Sequence, residues 1–541
     1  MSKVRNLSCL ILVLLLLFVS VPFGCGKKTT ENPEFQVATN KAEYCLNEEI
    51  YVTASGLDNF WVGVYRASDD VQTRDPIRFR HFNENGYLSG ETYSVQKSYV
   101  ATERPFQNFP QGNYKVILFD QNGEQKSSCN FAITTEELDI PEAPTSILYS
   151  IDDSTSGLAN GEVTIEFASG FQATDVVFYW ANEDGILEEY TSLAPFKIVS
   201  NPMVFEMYEN TIIPAEATKL VAYGLNDVGM SEDCAEFILP TGCQFQVSSE
   251  VLSEFQVVSD IHIAVADSHL AASNSKEINS QHLLDMCNDI VEVSPNSDEL
   301  IIAGDIANSG KEYEWQEALR LLSSVNGLPE IYFSLGNHDL YDGNGMGNYQ
   351  TQVGYFKTYA NVDSVYYEKE IDGFHHIFLG SESSVSSVDA DLSDAQLEFL
   401  DERLSAIISA EPGKPVFVYL HQSLYDTIAG SFEGQGWDGV IQDAQLRAIL
   451  KKYSEVCMFN GHSHWDMNTR GSMYVADEEL PNIFNTASVA YLWTSYHIPT
   501  GEYLEGSQGY YVYVYADKVV VLGRDFVSNQ WIPSACFVAT I

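Results

Sequence analysis

The chain has 541 residues, which is enough for roughly three or four domains of ordinary size. Hydrophobic residues make up 45% of it and aromatic residues 12%, as in globular proteins rich in β-structure. The 28 lysines and arginines stand against 76 aspartates and glutamates, so the formal net charge is 28 − 76 = −48. A surface of that sign repels phosphate backbones, so nucleic acid is not an expected partner.

The first 25 residues predict export. Lys3 and Arg5 precede an apolar run over 10–21, which is typical of a signal peptide rather than of a spanning helix. The run leads to Gly24 and Cys25, and a polar tether over 26–33 follows. This pattern resembles a bacterial lipoprotein signal, in which Cys25 becomes the lipidated first residue. We therefore expect a place in the cell envelope with a lipid anchor in the membrane, or plain secretion after cleavage nearby.

Two β-rich segments and a linker follow the tether. Short strand-like runs separated by turn signals predict all-β, sandwich-like domains over 34–135 and 147–242. The stretch 136–146 is acidic, carries two prolines and is the predicted linker. The runs predicted as strands are 50–54, 60–65, 114–119 and 130–134 in the first segment, and 163–167, 175–180 and 219–225 in the second.

Four cysteines are candidates for disulfide bonds in an exported chain. Cys45 and Cys129 lie near the first and last strand-like runs of the first segment and could bridge them. Cys234 and Cys243 could pair at the next domain boundary. The sequence contains no CxxC motif, so the metal–thiolate classes are not indicated.

The pattern changes at residue 243. From there to residue 541, apolar strands that end in polar residues alternate with helical stretches. A buried sheet covered by helices produces this pattern, so an α/β domain is predicted over 243–541. A hairpin is predicted around 516–517. The predicted helices are 282–293, 313–325, 394–409 and 443–453.

Histidines concentrate in this last segment, which holds ten of the 11. Because side chains i and i+2 of an extended chain face the same side, Asp260 with His262, and His462 with His464, are each expected to present two ligands to one point. Five histidines stand in polar clusters at predicted strand ends: His262, His338, His421, His462 and His464.

Asp305 and Asn337 follow two other strands of the same segment. In an open α/β sheet the carboxyl ends of the strands share one edge, so these residues are expected near the histidines. A single aspartate or histidine at a strand end is usually a cap or a turn residue. Their joint occurrence favours a metal site, and carboxylate, imidazole and amide ligands suit Zn, Fe or Mn rather than Ca.

The order of these blocks resembles the calcineurin-like metallophosphoesterase superfamily over about 244–541. The blocks are "DIH" at 260, "GDIAN" at 304, "GNHD" at 336, His421 at a strand end, and "GHSH" at 461. The resemblance implies a four-layer α-β-β-α fold with a dinuclear centre of Mn, Zn or Fe. The two β-segments resemble the immunoglobulin-like or fibronectin-like modules of exported members.

The resemblance also assigns roles. His338 would orient the phosphate or donate a proton, and Asp339 beside it would fix the orientation of His338. Purple acid phosphatases have a tyrosine three residues after the bridging aspartate, and here Asn308 stands there, so no tyrosinate-bound ferric ion is expected. The first ion would be held by Asp260, His262, Asp305 and His464, and the second by Asp305 as a bridge with Asn337, His421 and His462.

These roles imply hydrolysis of phosphate mono- or diesters by in-line attack of a hydroxide that bridges the two ions, without a phospho-enzyme. Gln435, Trp437 and Tyr341 are candidates for contacts with the substrate. One alternative is a surface binding protein that grips glycan or peptide with its β-segments, the last domain being a scaffold. Another is an amidase or β-lactamase-like metallohydrolase, which would need an HxHxDH cluster that the sequence lacks.

Overall fold

The protein is described by a computed structural model. The predicted signal peptide, Cys25 and the tether lie outside the described residues. Within the described part, no helix combines the length and the apolar character that crossing a membrane requires. The described residues are 36–45, 50, 52–55, 60–71, 76–82, 100–101, 109–120, 122–134, 139–247, 250–265, 275–343, 345–437, 439–494 and 502–541.

The first β-rich unit packs two sheets around one core. Its strands are β1 (Gln36–Thr39), β2 (Glu43–Tyr44), β3 (Val52–Ser55), β4 (Phe60–Arg66), β5 (Arg78–Phe82), β6 (Val100–Ala101), β7 (Gly112–Asp120) and β8 (Gln125–Ile133). The sheets have the orders β1-β3-β6 and β2-β8-β7-β4-β5. Alternate residues of β7, such as Tyr114 and Val116, point into the core, where Val62 of β4 lies. Cys45 directly follows β2, and Cys129 lies in the neighbouring β8; a bond between them stays a prediction.

The second β-rich unit repeats this architecture. Its strands are β9 (Ser146–Ile151), β10 (Gly161–Glu166), β11 (Asp175–Asn182), β12 (Gly185–Ile186), β13 (Leu193–Lys197), β14 (Met203–Glu206), β15 (Lys219–Leu225) and β16 (Ala235–Ile238). The sheets have the orders β14-β10-β9 and β12-β11-β15-β16, with β13 also on β11. The predicted bond between Cys234 and Cys243 is not formed. Cys243 is buried in the core near Tyr149, whereas the thiol of Cys234 lies against Tyr223.

The C-terminal unit is an α/β structure, as predicted. Its helices are α1 (Ser275–Val293), α2 (Glu312–Leu322), α3 (Tyr349–Tyr359), α4 (Asp394–Ala410) and α5 (Asp443–Leu450), with a 3-10 turn at His338–Leu340. Its strands are β17 (Ser253–Val258), β18 (Glu299–Ala303), β19 (Glu330–Ser334), β20 (Tyr367–Ile371), β21 (Phe374–Phe378), β22 (Val416–Tyr419), β23 (Val456–Asn460), β24 (Met473–Tyr474), β25 (Asn482–Asn485), β26 (Leu492–Thr494), β27 (Glu502–Leu504), β28 (Gln508–Val514), β29 (Lys518–Asp525) and β30 (Gln530–Thr540). The predicted terminal hairpin is β28–β29.

Two six-stranded sheets pack face to face between the helices. Their orders are β19-β18-β17-β28-β29-β30 and β20-β21-β22-β23-β25-β24. The core between them is aromatic and includes Phe255, Phe417 and Tyr510. Helices α1, α2 and α3 cover the outer face of the first sheet, and α4 and α5 cover that of the second. The predicted four-layer α-β-β-α fold is confirmed.

The helices follow from the sequence by capping and apolar spacing. Before α4, the Ser393 hydroxyl accepts a hydrogen bond from Gln396 N, which satisfies one of the free amide groups at the helix start. Leu397, Leu400 and Leu404 then recur at the spacing that places side chains on one face, and all three are buried. This face holds α4 on the second sheet.

The second β-rich unit covers an edge of the first sheet. Trp531 N, at the start of β30, donates to Glu189 O at 2.8 Å, and Ile212 N donates to Cys536 O at 2.8 Å. The Tyr208 hydroxyl donates to Asn468 O at 2.7 Å. Backbone groups of an exposed edge strand are open to pairing with other chains, so these contacts protect β30.

Candidate metal centre

Polar side chains follow five strands at the point where each strand ends. Strands β17, β18 and β19 run parallel, as do β22 and β23, so their carboxyl ends point to a common edge. Residues from five loops therefore meet within one small volume. The residues that the loops supply are Asp260 and His262, Asp305, Asn337 and His338, His421, and His462 and His464.

The first cluster consists of Asp260, His262 and His464, all of which are buried. Asp260 Oδ1 lies 2.9 Å from His464 Nε2 and 3.5 Å from His262 Nε2. The two Nε2 atoms are 3.0 Å apart. Three ligand atoms, which come from the loops after β17 and β23, thus point at one place.

Asp305 joins this cluster to a second one, which consists of Asp305, Asn337, His421 and His462. Its Oδ2 lies 3.6 Å from His262 Nε2 and 3.2 Å from His421 Nε2. Its Oδ1 accepts a hydrogen bond from His338 N at 2.8 Å, which fixes the carboxylate in this orientation. Asp305 is therefore placed as a bridging ligand would be.

Asn337 and His462 lie on the far side of the second cluster. Asn337 Oδ1 is 2.9 Å from His462 Nδ1. The Asn337 amide group donates to Ser387 O at 3.1 Å, so its oxygen is turned towards the histidine. The ring centres of His462 and His421 are 5.3 Å apart. The structure thus brings all seven predicted ligands together in two groups that share Asp305.

Backbone carbonyl groups orient two of the imidazoles. His421 Nδ1 lies 2.8 Å from Ala303 O, and His464 Nδ1 lies 3.0 Å from Tyr491 O. A carbonyl oxygen can only accept, so each Nδ1 carries a proton and each ring is held with its Nε2 towards the cluster. Metal-binding histidines are commonly held in this way.

The expected extended geometry of the two ligand pairs is wrong. Asp260, His262, His462 and His464 have φ angles of 56°, 40°, 69° and 57°, in the left-handed region. The strands end at Val258 and Asn460, so the ligands belong to tight loops beyond them. Non-glycine residues enter this region at a cost, and such strain concentrates at functional sites.

Two glycines of the motifs are required by close approach of the loops. A β-carbon on Gly336 would clash with Asp305 Oδ1, and one on Gly461 would clash with the side chains of Ser259 and Asp260. Each motif glycine therefore makes room for a ligand from another loop. This explains why the ligands of different strands can approach so closely.

The electrostatics of the cluster favour a cation. Burial acts to raise the pKa of Asp260, but the charges of His464 and His421 hold it well below its usual range. Burial acts to lower the pKa of His421, yet the charges of Asp305 and Asp260 raise it to about 10. Burial lowers the pKa of His262 to about 4, so this imidazole is neutral. The buried carboxylates thus draw positive charge towards them.

Several ligand atoms are buried without a hydrogen-bond partner among the described residues. They are Asp260 Oδ1, His262 Nδ1 and His421 Nε2. A buried polar atom without a partner costs about 1–3 kcal/mol. Two of these atoms, Asp260 Oδ1 and His421 Nε2, face the centre of the clusters, and a pair of metal ions would satisfy both. The donor set fits Zn, Mn or Fe.

Comparison with known proteins identifies the family of this domain. The model of the family described as "Calcineurin-like phosphoesterase" matches residues 255–466, a range that contains all seven predicted ligands and His338. These residues form a calcineurin-like phosphoesterase domain. With its buried Asp/His site of the dinuclear type, it is the domain of a phosphoric ester hydrolase.

Solved structures show a weaker likeness to the chain. A purple acid phosphatase from seeds of yellow lupin (Lupinus luteus) is 13% identical, with 93% of this chain and 95% of that chain covered and a TM-score of 0.39. A putative 5'-nucleotidase from Staphylococcus aureus is 14% identical, with 53% and 54% covered and a TM-score of 0.29. A calcineurin-like phosphoesterase from Bacillus subtilis is 12% identical, with 53% and 89% covered and a TM-score of 0.27. A search of curated proteins found no matching sequence.

His338 of the phosphoesterase domain is partly exposed, unlike the buried ligands. Its Nδ1 lies 2.8 Å from Asn308 O, so Nδ1 carries a proton and the ring is fixed by this contact. The expected contact of Asp339 with this ring is not formed. The Asp339 oxygens instead accept hydrogen bonds from Ala307 N at 2.9 Å and Gly336 N at 3.0 Å. Asp339 thus ties together the backbones of two loops that carry ligands.

The three predicted substrate contacts differ in their surroundings. The Trp437 ring centre lies 5.9 Å from that of His462. Gln435 Oε1 accepts from Gly430 N at 2.7 Å and therefore acts within its own loop. The Tyr341 ring lies 4.4 Å from that of His338, and its hydroxyl donates to Ser387 O at 2.7 Å. Tyr341 thus packs on His338 and binds Ser387 O, which also accepts a hydrogen bond from the ligand Asn337.

Three further groups of the phosphoesterase domain support the site and were not predicted from the sequence. The Ser259 hydroxyl donates to Asp260 Oδ2 at 2.5 Å, and its position directly before a ligand was a usable signal. The Asn308 carbonyl oxygen binds His338, and the Tyr491 carbonyl oxygen binds His464. No sequence motif marks these two backbone contacts.

Proposed function

We propose that the chain is an exported, membrane-anchored, metal-dependent phosphoesterase that hydrolyses phosphate mono- or diesters. One observation carries the catalytic part: Asp305 Oδ2 lies between His262 Nε2 and His421 Nε2, at 3.6 and 3.2 Å. Together with the two imidazoles, this carboxylate would hold a pair of cations in one centre. Two cations held so close together would neutralise the negative charge on the phosphoryl oxygens of an ester.

Two divalent ions carry more positive charge than the carboxylates of Asp260 and Asp305 balance. The excess would attract a phosphate ester into a chain whose overall charge is strongly negative. The residues of the two clusters would hold such a pair, and the chemistry it would supply is Lewis acidity, which lowers the pKa of bound water to about 7 in zinc enzymes and makes it a nucleophile for in-line attack.

His338 is the residue proposed to act on the substrate. Its Nδ1 is held by Asn308 O, which fixes the ring, and the side chain is partly exposed beside the centre. From there Nε2 would hydrogen-bond the phosphate or, when protonated, give a proton to the leaving oxygen. A general acid or base of this kind contributes roughly 10²–10⁴-fold in rate.

Export and anchoring are supported by the sequence of the first 33 residues. Lys3 and Arg5, the apolar run over 10–21 and Cys25 form the pattern of a lipoprotein signal. Radiolabelled palmitate should enter the wild-type chain in a bacterial host, and Cys25→Ser should abolish incorporation. Label that persists in Cys25→Ser would contradict anchoring at this residue.

Hydrolysis of bis-p-nitrophenyl phosphate and of p-nitrophenyl phosphate tests the catalytic proposal. The full chain, stripped of metal, is assayed with Mn, Zn, Fe and Mg in turn, and metal-dependent release of nitrophenol is expected. Hydrolysis in ¹⁸O-labelled water should place the label in phosphate. Label in the alcohol would contradict attack at phosphorus. Lack of turnover with every metal would contradict the proposed phosphoesterase activity.

A further inference from the structure

A band of aromatic rings flanks the metal-ligand cluster on the side of His462 and His464. The Tyr491 ring centre lies 4.4 Å from that of His464 and 5.6 Å from that of His262. The Trp437 ring centre lies 5.9 Å from that of His462. Both clusters therefore have an aromatic neighbour.

The band continues outwards through two more rings. Trp493 lies 6.2 Å from Trp437, and Tyr503 stacks on Tyr491 with ring centres 5.8 Å apart. Hydrogen bonds between backbones hold part of this band: Trp493 N donates to His464 O at 2.8 Å, and Asp466 N donates to Trp493 O at 2.7 Å. We call Trp437, Tyr491, Trp493 and Tyr503 the aromatic wall.

The wall keeps ring surface open to solvent. Trp437, Tyr491 and Trp493 are partly buried, and Tyr503 is 59% exposed. Neighbouring Trp465, by contrast, is fully buried and does serve the core. Partly exposed rings beside a reaction centre present apolar surface to whatever enters it.

The carboxylates of the cluster pair with imidazoles rather than with longer cationic side chains. In the described part of the chain, the ion pairs of Asp260 and Asp305 involve histidines, with no lysine or arginine. A polyphosphate chain would require such cations. The rings of the aromatic wall therefore lie beside the centre and can contact the part of an ester beyond its phosphoryl group.

We infer that the aromatic wall binds the alcohol part of the substrate, and that the preferred substrates are phosphate esters whose alcohol carries an aromatic ring. The inference rests on the proposed function, since it concerns the same centre. Trp437 and Tyr491 flank the ligands directly and are the specificity-determining residues, while Trp493 and Tyr503 support them.

Binding of two phosphonates to the metal-loaded full chain tests the wall without turnover. Phenylphosphonate and butylphosphonate share the anionic group and differ in the ring. By calorimetry, phenylphosphonate should bind roughly three- to tenfold more tightly. Trp437→Leu and Tyr491→Leu should each reduce this preference, and Trp437→Phe should keep most of it. Tyr179→Leu, which removes an aromatic ring from the second β-rich unit, is the control and should change nothing.

Hydrolysis of benzyl phosphate and butyl phosphate separates the two proposals. The wall predicts a lower KM for the benzyl ester, and Trp437→Leu should raise that KM with little effect on the butyl ester. Phosphonate preference without hydrolysis of either ester would leave the wall intact and contradict the proposed function. Equal affinity for the two phosphonates, no binding of either, or a preference that survives both leucine variants would overturn the wall.

Discussion

The Nε2 atoms of His262 and His464 lie 3.0 Å apart, although 202 positions of sequence separate the two residues. Asp260 Oδ1 lies 2.9 Å from the same atom of His464. The Nδ1 proton of His464 is bound to Tyr491 O, which turns its Nε2 towards the other two atoms. A cation placed between the three atoms would be bound by all of them. Metal binding should therefore stabilise the folded chain.

Removal of metal should lower the melting temperature. A ligand that binds the folded state at a hundred times its Kd stabilises it by about 2.7 kcal/mol, which corresponds to a shift of roughly 5 °C for a domain of this size. Calorimetry of the full chain with and without EDTA measures the shift, and Mn or Zn in excess should reverse it. A melting temperature that is indifferent to both treatments would count against the site.

His338→Asn should keep the metal and lose turnover. His338 contributes its backbone N–H to Asp305, which the variant retains, whereas the imidazole that is proposed to act on the substrate is removed. A fall in kcat of roughly 10²–10⁴-fold is expected, with unchanged metal content by mass spectrometry. His375→Asn, on a strand away from the centre, is the control. Full activity of His338→Asn would remove this residue from the mechanism.

Gly461→Ala should disrupt the site through its backbone. The added methyl group would clash with Ser259 Oγ and Asp260 Oδ2, so the loop that carries His462 has to shift. Reduced metal affinity is expected, by roughly 10–100-fold as for other supporting positions of metal sites. The control is Gly354→Ala, because a β-carbon there meets open space. Equal metal affinity of the two variants would show that the close approach of Gly461 to Ser259 and Asp260 does not affect metal binding.

Glu299 should make stability depend on pH. It is fully buried at the start of β18, 3.2 Å from His376 Nε2, and burial, followed by the charges of Asp298 and Asp372, raises its pKa to about 8. The folded chain keeps this proton while the unfolded chain releases it near pH 4.5. This contribution to stability is thus present at low pH and is lost as the pH rises from about 4.5 to about 8.

Glu299→Gln replaces the neutral acid by a neutral amide and should remove that loss. Relative to the wild type, the variant should gain roughly 3–5 kcal/mol between pH 5 and pH 9, measured by unfolding in denaturant. Glu330→Gln, at the exposed start of the adjacent strand β19, is the matched control. A variant that runs parallel to the wild type over this range would show that Glu299 is ionised in the folded state.

The elements that were predicted correctly from the sequence are those with a clear pattern of apolar residues. Runs such as 60–65 and 114–119 alternate or are continuously apolar, and they fall within β4 and β7. Helix α3 was missed because Val353 and Phe356 are its only large apolar residues that are fully buried among the described ones, which gives a weak period. Strands of two residues, such as Glu43–Tyr44, are too short to produce any periodicity.

The site was predicted as a set of residues but not as a geometry. The motifs fixed which side chains meet, whereas the assumption of extended ligand loops failed because Asp260 and His464 adopt positive φ. Tyr491 and Trp493 follow a loop without periodicity, and they reach the ligands through contacts between distant parts of the chain. Contacts of that kind are properties of the tertiary structure and leave no local pattern.

The metal content of the wild type and of Asp305→Asn tests the central claim most directly. Asp305 Oδ2 is shared by both clusters, so its loss should affect both sites, while exposed Asp363→Asn serves as control. Mass spectrometry of chains reconstituted with Mn or Zn should find two ions per chain in the wild type and in Asp363→Asn, and fewer than one in Asp305→Asn. A wild type that holds no ion, or an Asp305→Asn chain that retains two, would contradict a shared dinuclear centre.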